Sequence, residues 1–333
     1  MKIIALEEHA LDKPLGAASN KTCQENYPFY HAFTHPQNYF GKVKDPFELG
    51  EKRIKEMDKN GIDMEILSYT NNSQWIQGQE AIDLSKAAND SLALAVKQYP
   101  KRFRAFATLP WSDPLAASQE LRRAIQELGF VGTLLNGRPQ AGNIYLDDKC
   151  YYPIWEVLTE FDLPIYIHPG ITSPDVIKAY YTGYDEQLSM ILSTFGFGWH
   201  LEAGIQVIRM ILSGVFEKFP TLKVISGHWG ELIPYYLTRF DQMFPPSITS
   251  LKEKFSFYYK RNVWVTPSGI YDNEDLELCV KKLGIDHILF SADYPFIAEE
   301  GAVPFIENSS LSKEEKELFG SKNAEKLLHI NIE

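Results

Sequence analysis

Short apolar runs recur along the chain, and longer stretches with apolar positions at helical spacing separate them. The runs are Ile3–Leu6, Met64–Ser68, Phe103–Leu109, Phe130–Leu135, Leu163–His168, Leu222–Ser226, Asn262–Thr266 and Ile288–Ser291. Amphipathic stretches at Ala81–Gln98, Pro114–Leu128, Tyr152–Phe161, Ile205–Phe219, Glu231–Phe244 and Asn273–Leu283 lie among them. Strict alternation of strand and helix predicts a parallel sheet with right-handed crossovers. Eight such units favour closure into an α/β (β/α)8 TIM barrel over an open sheet. Lys313–Leu328 reads as a last helix, with Ser312 and Glu315 spaced as a capping box. No low-complexity linker or internal repeat marks a second domain, so residues 1–333 read as one barrel domain.

Three segments are longer than a strand-to-helix connection needs, and all follow C-terminal strand ends, where such barrels keep their active sites. Residues 10–47 carry Tyr27, Phe29, Tyr30, Phe33, Tyr39 and Phe40; residues 69–79 follow the second strand; residues 169–200 include Phe195, Phe197 and Trp199. These aromatics suit the cover of a planar substrate. For any single one, packing as a satellite core beneath the loops is the simpler expectation.

Composition narrows the function classes. With 33 Lys and Arg against 44 Asp and Glu, the formal charge of −11 argues against nucleic acid or an anionic membrane as the main partner. A small anionic substrate stays open, because a bound cation inverts the field locally. Cys23, Cys150 and Cys279 are odd in number and share no metal-ligand spacing, which fits reduced thiols in a cytoplasmic protein. No signal peptide and no apolar run of about 18 residues is evident, so no membrane role is expected.

Four residues at strand ends carry the chemistry. Glu7 and His9 end the first run in Leu6-Glu7-Glu8-His9, His168 ends the fifth, and Asp293 lies just past the eighth. Residues two apart on a strand face the same way, so Glu7 and His9 point into the barrel while Glu8 points outward. A buried carboxylate needs a partner. The alternative for Glu7 is a salt bridge to an internal Arg or Lys, yet no basic residue occupies the predicted strand ends. Alone, His168 would suit a structural hydrogen bond and Asp293 a turn cap. Together, two imidazoles and two carboxylates make a ligand set for one divalent cation with open positions, as at a catalytic site. Without thiolates the set suits zinc, manganese or a similar ion. Ser226-Gly227-His228-Trp229-Gly230-Glu231 follows the sixth run, placing His228 at the barrel mouth with Glu231 able to hold its other ring nitrogen. His31, His35, His200, His287 and His329 read as solvated or structural, with substrate contact the alternative for a loop histidine.

With these residues assembled, the chain resembles the decarboxylase branch of the amidohydrolase superfamily, which includes the aminocarboxymuconate-semialdehyde and gamma-resorcylate (dihydroxybenzoate) decarboxylases. The resemblance spans the chain through LEEH, RFRAFATLP, LPIYIHPG, SGHWGE and FSADYPF. It implies metal binding by Glu7, His9, His168 and Asp293, and a catalytic or substrate-contacting His228 supported by Glu231. Many hydrolases of the superfamily bridge two metals with a lysine at the end of the fourth strand. Here that end reads Leu134-Leu135-Asn136-Gly137, so a single metal is expected and Asn136 is a candidate substrate contact. The resemblance also suggests a homodimer or homotetramer, with Arg239 reaching a neighbouring site.

The implied reaction is nonoxidative decarboxylation of a hydroxybenzoate-like aromatic carboxylate. Asp293 is the first candidate to carry a proton from the phenol to the ring carbon, and His228 the second. The alternatives are a metal-dependent hydrolase, for example of a lactone, and a noncatalytic protein that kept the barrel.

Overall fold

The computed structural model describes residues 1–35, 45–140, 144–297 and 299–332; Tyr39 and Phe40 of the first long segment lie outside them. Among the described residues, seven strands follow the apolar runs: β1 Ile4–Ala10, β2 Met64–Tyr69, β3 Phe103–Ala105, β4 Thr133–Asn136, β5 Pro164–His168, β6 Lys223–Ser226 and β7 Val263–Val265. All pair in parallel, as β1-β2-β3 and β4-β5-β6-β7. The amide of Ala107 donates to Gly132 O at 2.9 Å, joining the two sheets. The eighth run is not a continuous strand but closes the ring on both sides: Leu289 N donates to Val265 O at 2.9 Å, and Leu6 N to Phe290 O at 3.1 Å. Its extended conformation ends at Asp293, whose φ of 64° turns the chain. The ring is a (β/α)8 barrel.

Side chains sort onto two faces. Ile4, Leu6, Met64, Ile66, Phe106, Leu134, Tyr166, Ile225 and Leu289 form one buried cluster inside the ring, and Ala324, Leu327 and Leu328 of the last helix, Asn323–Leu328, join it. Ala5, Leu67, Ala105, Leu135, Ile165, Ile167, Val224 and Val265 pack outward against the helices. Helices Pro114–Leu128, Tyr152–Phe161 and Asn273–Leu283 occur as their spacing predicts. Asp113 and Asp272 cap the first and last of these. The capping box at Ser312 is present, though a π turn at Leu318–Lys322 interrupts that helix.

Two predicted helices need correction. Ile205–Phe219 begins earlier, as Gly198–Leu212, and breaks at Gly214, whose φ is 80°. Glu231–Phe244 starts only at Ile233. His228, Trp229, Gly230, Glu231 and Leu232 before it all have φ between 46° and 77°, a left-handed turn. This conformation costs each non-glycine residue on the order of 1–2 kcal/mol. It persists because His228 N donates to Ser268 Oγ, Trp229 N to Thr266 O and Trp229 Nε1 to Ile270 O, all within 2.9 Å.

The first and third long segments fold into short helices, including Lys13–Asn26, Pro174–Tyr180 and Glu186–Ser193. Their aromatics make the expected satellite core: Tyr27, Tyr181, Ile177 and Met190 are buried together, with Phe29, Tyr30, Phe33 and Phe195 against them. The three cysteines are free thiols. Among the described residues no helix is long and apolar enough to cross a membrane.

Candidate metal centre and active site

A β-bulge sets the first two candidate ligands. Along β1 and β2, Ala5 pairs with Glu65 and Glu8 with Leu67, so Leu6 and Glu7 together face Ile66. Leu6 lies in the inner cluster. Strict alternation would then send Glu7 to the helix side; the extra residue shifts the parity, so that Glu7 and His9 both face inward. Glu8 points outward as expected, but it is fully buried there, near Glu65 and Glu299.

One ligand atom from each of Glu7, His9, His168 and Asp293 lies within 4.8 Å of the other three. His9 Nε2 is 3.8 Å from Glu7 Oε1 and 3.2 Å from Asp293 Oδ1, and His168 Nε2 is 3.2 Å from Glu7 Oε1. Glu7 Oε1, His9 Nε2 and Asp293 Oδ1 are buried with no hydrogen-bond partner. Orphaned polar atoms at such depth are costly unless something binds them. The tautomers point the same way. His168 Nδ1 donates to Pro169 O at 2.7 Å, and burial pushes this imidazole toward its neutral form. Its Nε2 then presents a lone pair to the Glu7 carboxylate, an arrangement that calls for a cation between them. His9 Nδ1 is held by Ser68 Oγ at 3.0 Å, leaving its Nε2 for the same point. These residues fit one divalent ion, and among the described residues no Lys or Arg pairs with Glu7.

Glu7 Oε2 is anchored by Tyr166 Oη and Ser268 Oγ. Ser268 also accepts the His228 amide, so it ties the ligand to the next catalytic candidate. Gly227 is required here, since a Cβ would lie 2.7 Å from Ser268 Oγ and 2.9 Å from Glu7 Oε2. Burial alone would raise the Glu7 carboxyl. The positive field of His228, then the closeness of the His168 and His9 rings, outweigh it and hold the group well below the usual carboxylate range.

His228 and Glu231 form the wall beside this floor. His228 Nδ1 lies 3.0 Å from Glu231 Oε1. Burial opposes a charged His228, but the fields of Glu231 and Glu7 overcome it and push the imidazole up to about 9. Glu231, although buried, is held low by the fields of His200 and His228. Floor and wall meet in one cavity of about 690 Å³, within the range of small-molecule sites. Phe33, Phe195, Trp199 and Phe296 line it, so some loop aromatics do face the space for a substrate. Asn136 also lines it, with a buried Oδ1 that has no partner. Arg239 does not line this cavity; it is exposed on the helix Ile233–Met243.

Three site residues escaped the sequence reading. His200, read as solvated or structural, places Nδ1 3.0 Å from Glu231 Oε2 and lines the cavity. Nothing local in the sequence distinguishes it. Tyr166 was legible in principle, since it stands two before His168 and shares its face. Ser268 follows β7 in a turn with φ of 48°, which no pattern announced.

Comparisons with known proteins bear on the family and the fold. The Amidohydrolase family profile matches residues 34–330. A gamma-resorcylate decarboxylase of Polaromonas sp. is 34% identical over 98% of this chain and 98% of its own. A 5-carboxyvanillate decarboxylase from Novosphingobium aromaticivorans, complexed with manganese and 4-hydroxy-3-methoxy-5-nitrobenzoic acid, has a TM-score of 0.90 and 30% identity, covering 99% of this chain and 96% of that one. A dihydroxybenzoic acid decarboxylase from Polaromonas sp., with bound manganese and the inhibitor 2-nitroresorcinol, has a TM-score of 0.87 and 32% identity over 98% and 97%. By profile, full-length identity and fold, the chain belongs to the amidohydrolase family.

Proposed function

We propose that this protein is a metal-dependent carboxy-lyase that releases CO2 from a hydroxybenzoate-like aromatic acid. The observation that carries the reading is the convergence of three orphaned donor atoms, Glu7 Oε1, His9 Nε2 and Asp293 Oδ1, with His168 Nε2 under a substrate-sized cavity. Its likeness over nearly the whole chain to decarboxylases of phenolic acids supports decarboxylation rather than hydrolysis.

Glu7, His9, His168 and Asp293 would hold one divalent ion, manganese or zinc. When bound, it supplies the Lewis acidity that favours the phenolate of the substrate. Asp293 takes the phenol proton as substrate binds and delivers it to the ring carbon bearing the carboxylate. The bond to that carboxylate then breaks, its electron pair restores the aromatic ring, CO2 leaves, and solvent reprotonates the phenolate. His228, kept cationic by Glu231, faces the anionic substrate and is the second candidate donor. Asn136 offers its free Oδ1 to a substrate hydroxyl, and the loop aromatics exclude water.

A dimer or tetramer is part of the proposal. The helix Ile233–Met243 exposes Tyr235 and Tyr236 beside Arg239, a face suited to a second copy. Light scattering of wild type and Arg239→Ala tests this. The activity test is a panel of salicylate, dihydroxybenzoates and vanillate-type acids, assayed for CO2 with added Mn²⁺ or Zn²⁺. CO2 from at least one metal-loaded reaction is expected. Acid release from lactones with no CO2 would return the hydrolase reading.

A further inference from the structure

Asp293 sits in the left-handed backbone region, at φ 64°, which a non-glycine residue keeps only when its surroundings hold it there. The peptide N–H groups on both sides of it are taken by a single side chain. Ala292 N donates to Glu8 Oε1 at 2.8 Å, and Tyr294 N donates to Glu8 Oε2 at 3.1 Å. The backbones are joined at the same place: Glu8 bridges Tyr294, and His9 N donates to Tyr294 O at 2.6 Å. Glu8 is fully buried and points away from the cavity, so it touches neither the ligand atoms nor the substrate space. A glutamate can accept both amides at once. A glutamine can accept only one, and turns an N–H against the other.

We propose that Glu8 is a positioning residue whose two carboxyl oxygens clasp the amides flanking Asp293 and so aim Asp293 Oδ1 at the cluster with His9 and His168. It acts from behind the strand on the residue assigned both to hold the metal and to move the proton. The inference rests on the metal-dependent reading of the site. Arg53 supports the same arrangement from the helix side, with Nη1 donating to His9 O at 2.7 Å and its guanidinium 4.8 Å from the Tyr294 ring.

The test is a double-mutant cycle read by Mn²⁺ affinity in equilibrium dialysis, with wild type, Glu8→Gln, Asp293→Asn and the double variant. If the clasp acts through Asp293, Glu8→Gln weakens Mn²⁺ binding about 10- to 100-fold in the wild-type background. In the Asp293→Asn background the same change costs less than about threefold, because the side chain it aims is no longer a carboxylate. Equal losses in the two backgrounds would mark Glu8 as merely structural and overturn the proposal, as would an unchanged affinity in Glu8→Gln. Should Glu8→Gln fail to fold by circular dichroism, Glu8→Asp, too short to reach both amides, carries the same cycle. A wild-type protein that binds no Mn²⁺ or Zn²⁺ would sink the proposed function itself. Wild-type binding with an additive cycle sinks only the clasp.

Discussion

On the floor of the cavity Glu7, His9, His168 and Asp293 face one another and leave three buried donor atoms without hydrogen-bond partners; on the wall His200, His228 and Glu231 leave none. Both groups bring their ligand atoms within 4.8 Å of each other, so proximity alone would make each a metal site. Satisfaction separates them. On the wall each Glu231 oxygen already meets an imidazole nitrogen at 3.0 Å, which stabilises protons. The floor keeps three unpartnered atoms that a cation would satisfy. In the proposed reading the same residue types therefore serve two ends, one set to hold a metal and the other to hold charge.

The largest expected effects break the floor. Removing metal with a chelator reduces CO2 release to background, and restoring Mn²⁺ or Zn²⁺ recovers it; retained turnover in metal-free protein would end the comparison. At saturating metal, Asp293→Asn is expected to lower CO2 release about 10³-fold or more, because the carboxylate proposed to carry the proton is gone. Wild-type rates in a metal-replete variant would remove Asp293 from the chemistry. On the wall, His228→Asn is expected to cut kcat about 10²-fold while metal analysis still finds one ion per chain. Metal lost along with activity would show that the wall is a ligand too. Smaller again is His200→Gln, with less than about a tenfold loss of kcat, since Glu231 still holds His228.

The barrel and its mouth were legible because both rest on pattern. Apolar alternation fixed which runs pair, and position at strand ends gathered Glu7, His9, His168, Asp293 and His228 from distant places in the chain. What stayed hidden depends on local backbone irregularity or on contacts between distant loops. Counting by twos placed Glu7 and His9 on one face, but only the bulge explains how Leu6 shares that face. A helical pattern from Glu231 onward looked continuous, yet five residues before Ile233 adopt left-handed geometry that tertiary hydrogen bonds impose. His200 reaches Glu231 only because the third long segment folds back over the mouth. That long-range contact has no local signature.

The smallest expected effect sharpens the contrast by pH, in the metal-free protein. His228 is raised from an ordinary imidazole value of 6.5 to about 9 in the folded state, so its charged form is bound more tightly there than in the unfolded chain. The stability it contributes is therefore fully present below about pH 6.5 and is lost as pH rises through about 9. His9 is also raised: burial opposes its charge, but the nearby Asp293 and Glu7 carboxylates outweigh it, and it contributes in the same direction. Thermal melts across that window should show Tm falling with pH in wild type and falling less steeply in His228→Asn, with the His9 share remaining. Added Mn²⁺ should flatten the His9 share, because a cation on the floor replaces the proton there, and leave most of the His228 share in place. Parallel slopes in wild type and His228→Asn would mean that the wall holds no stored charge, and the distinction between the two halves of the cavity would fail.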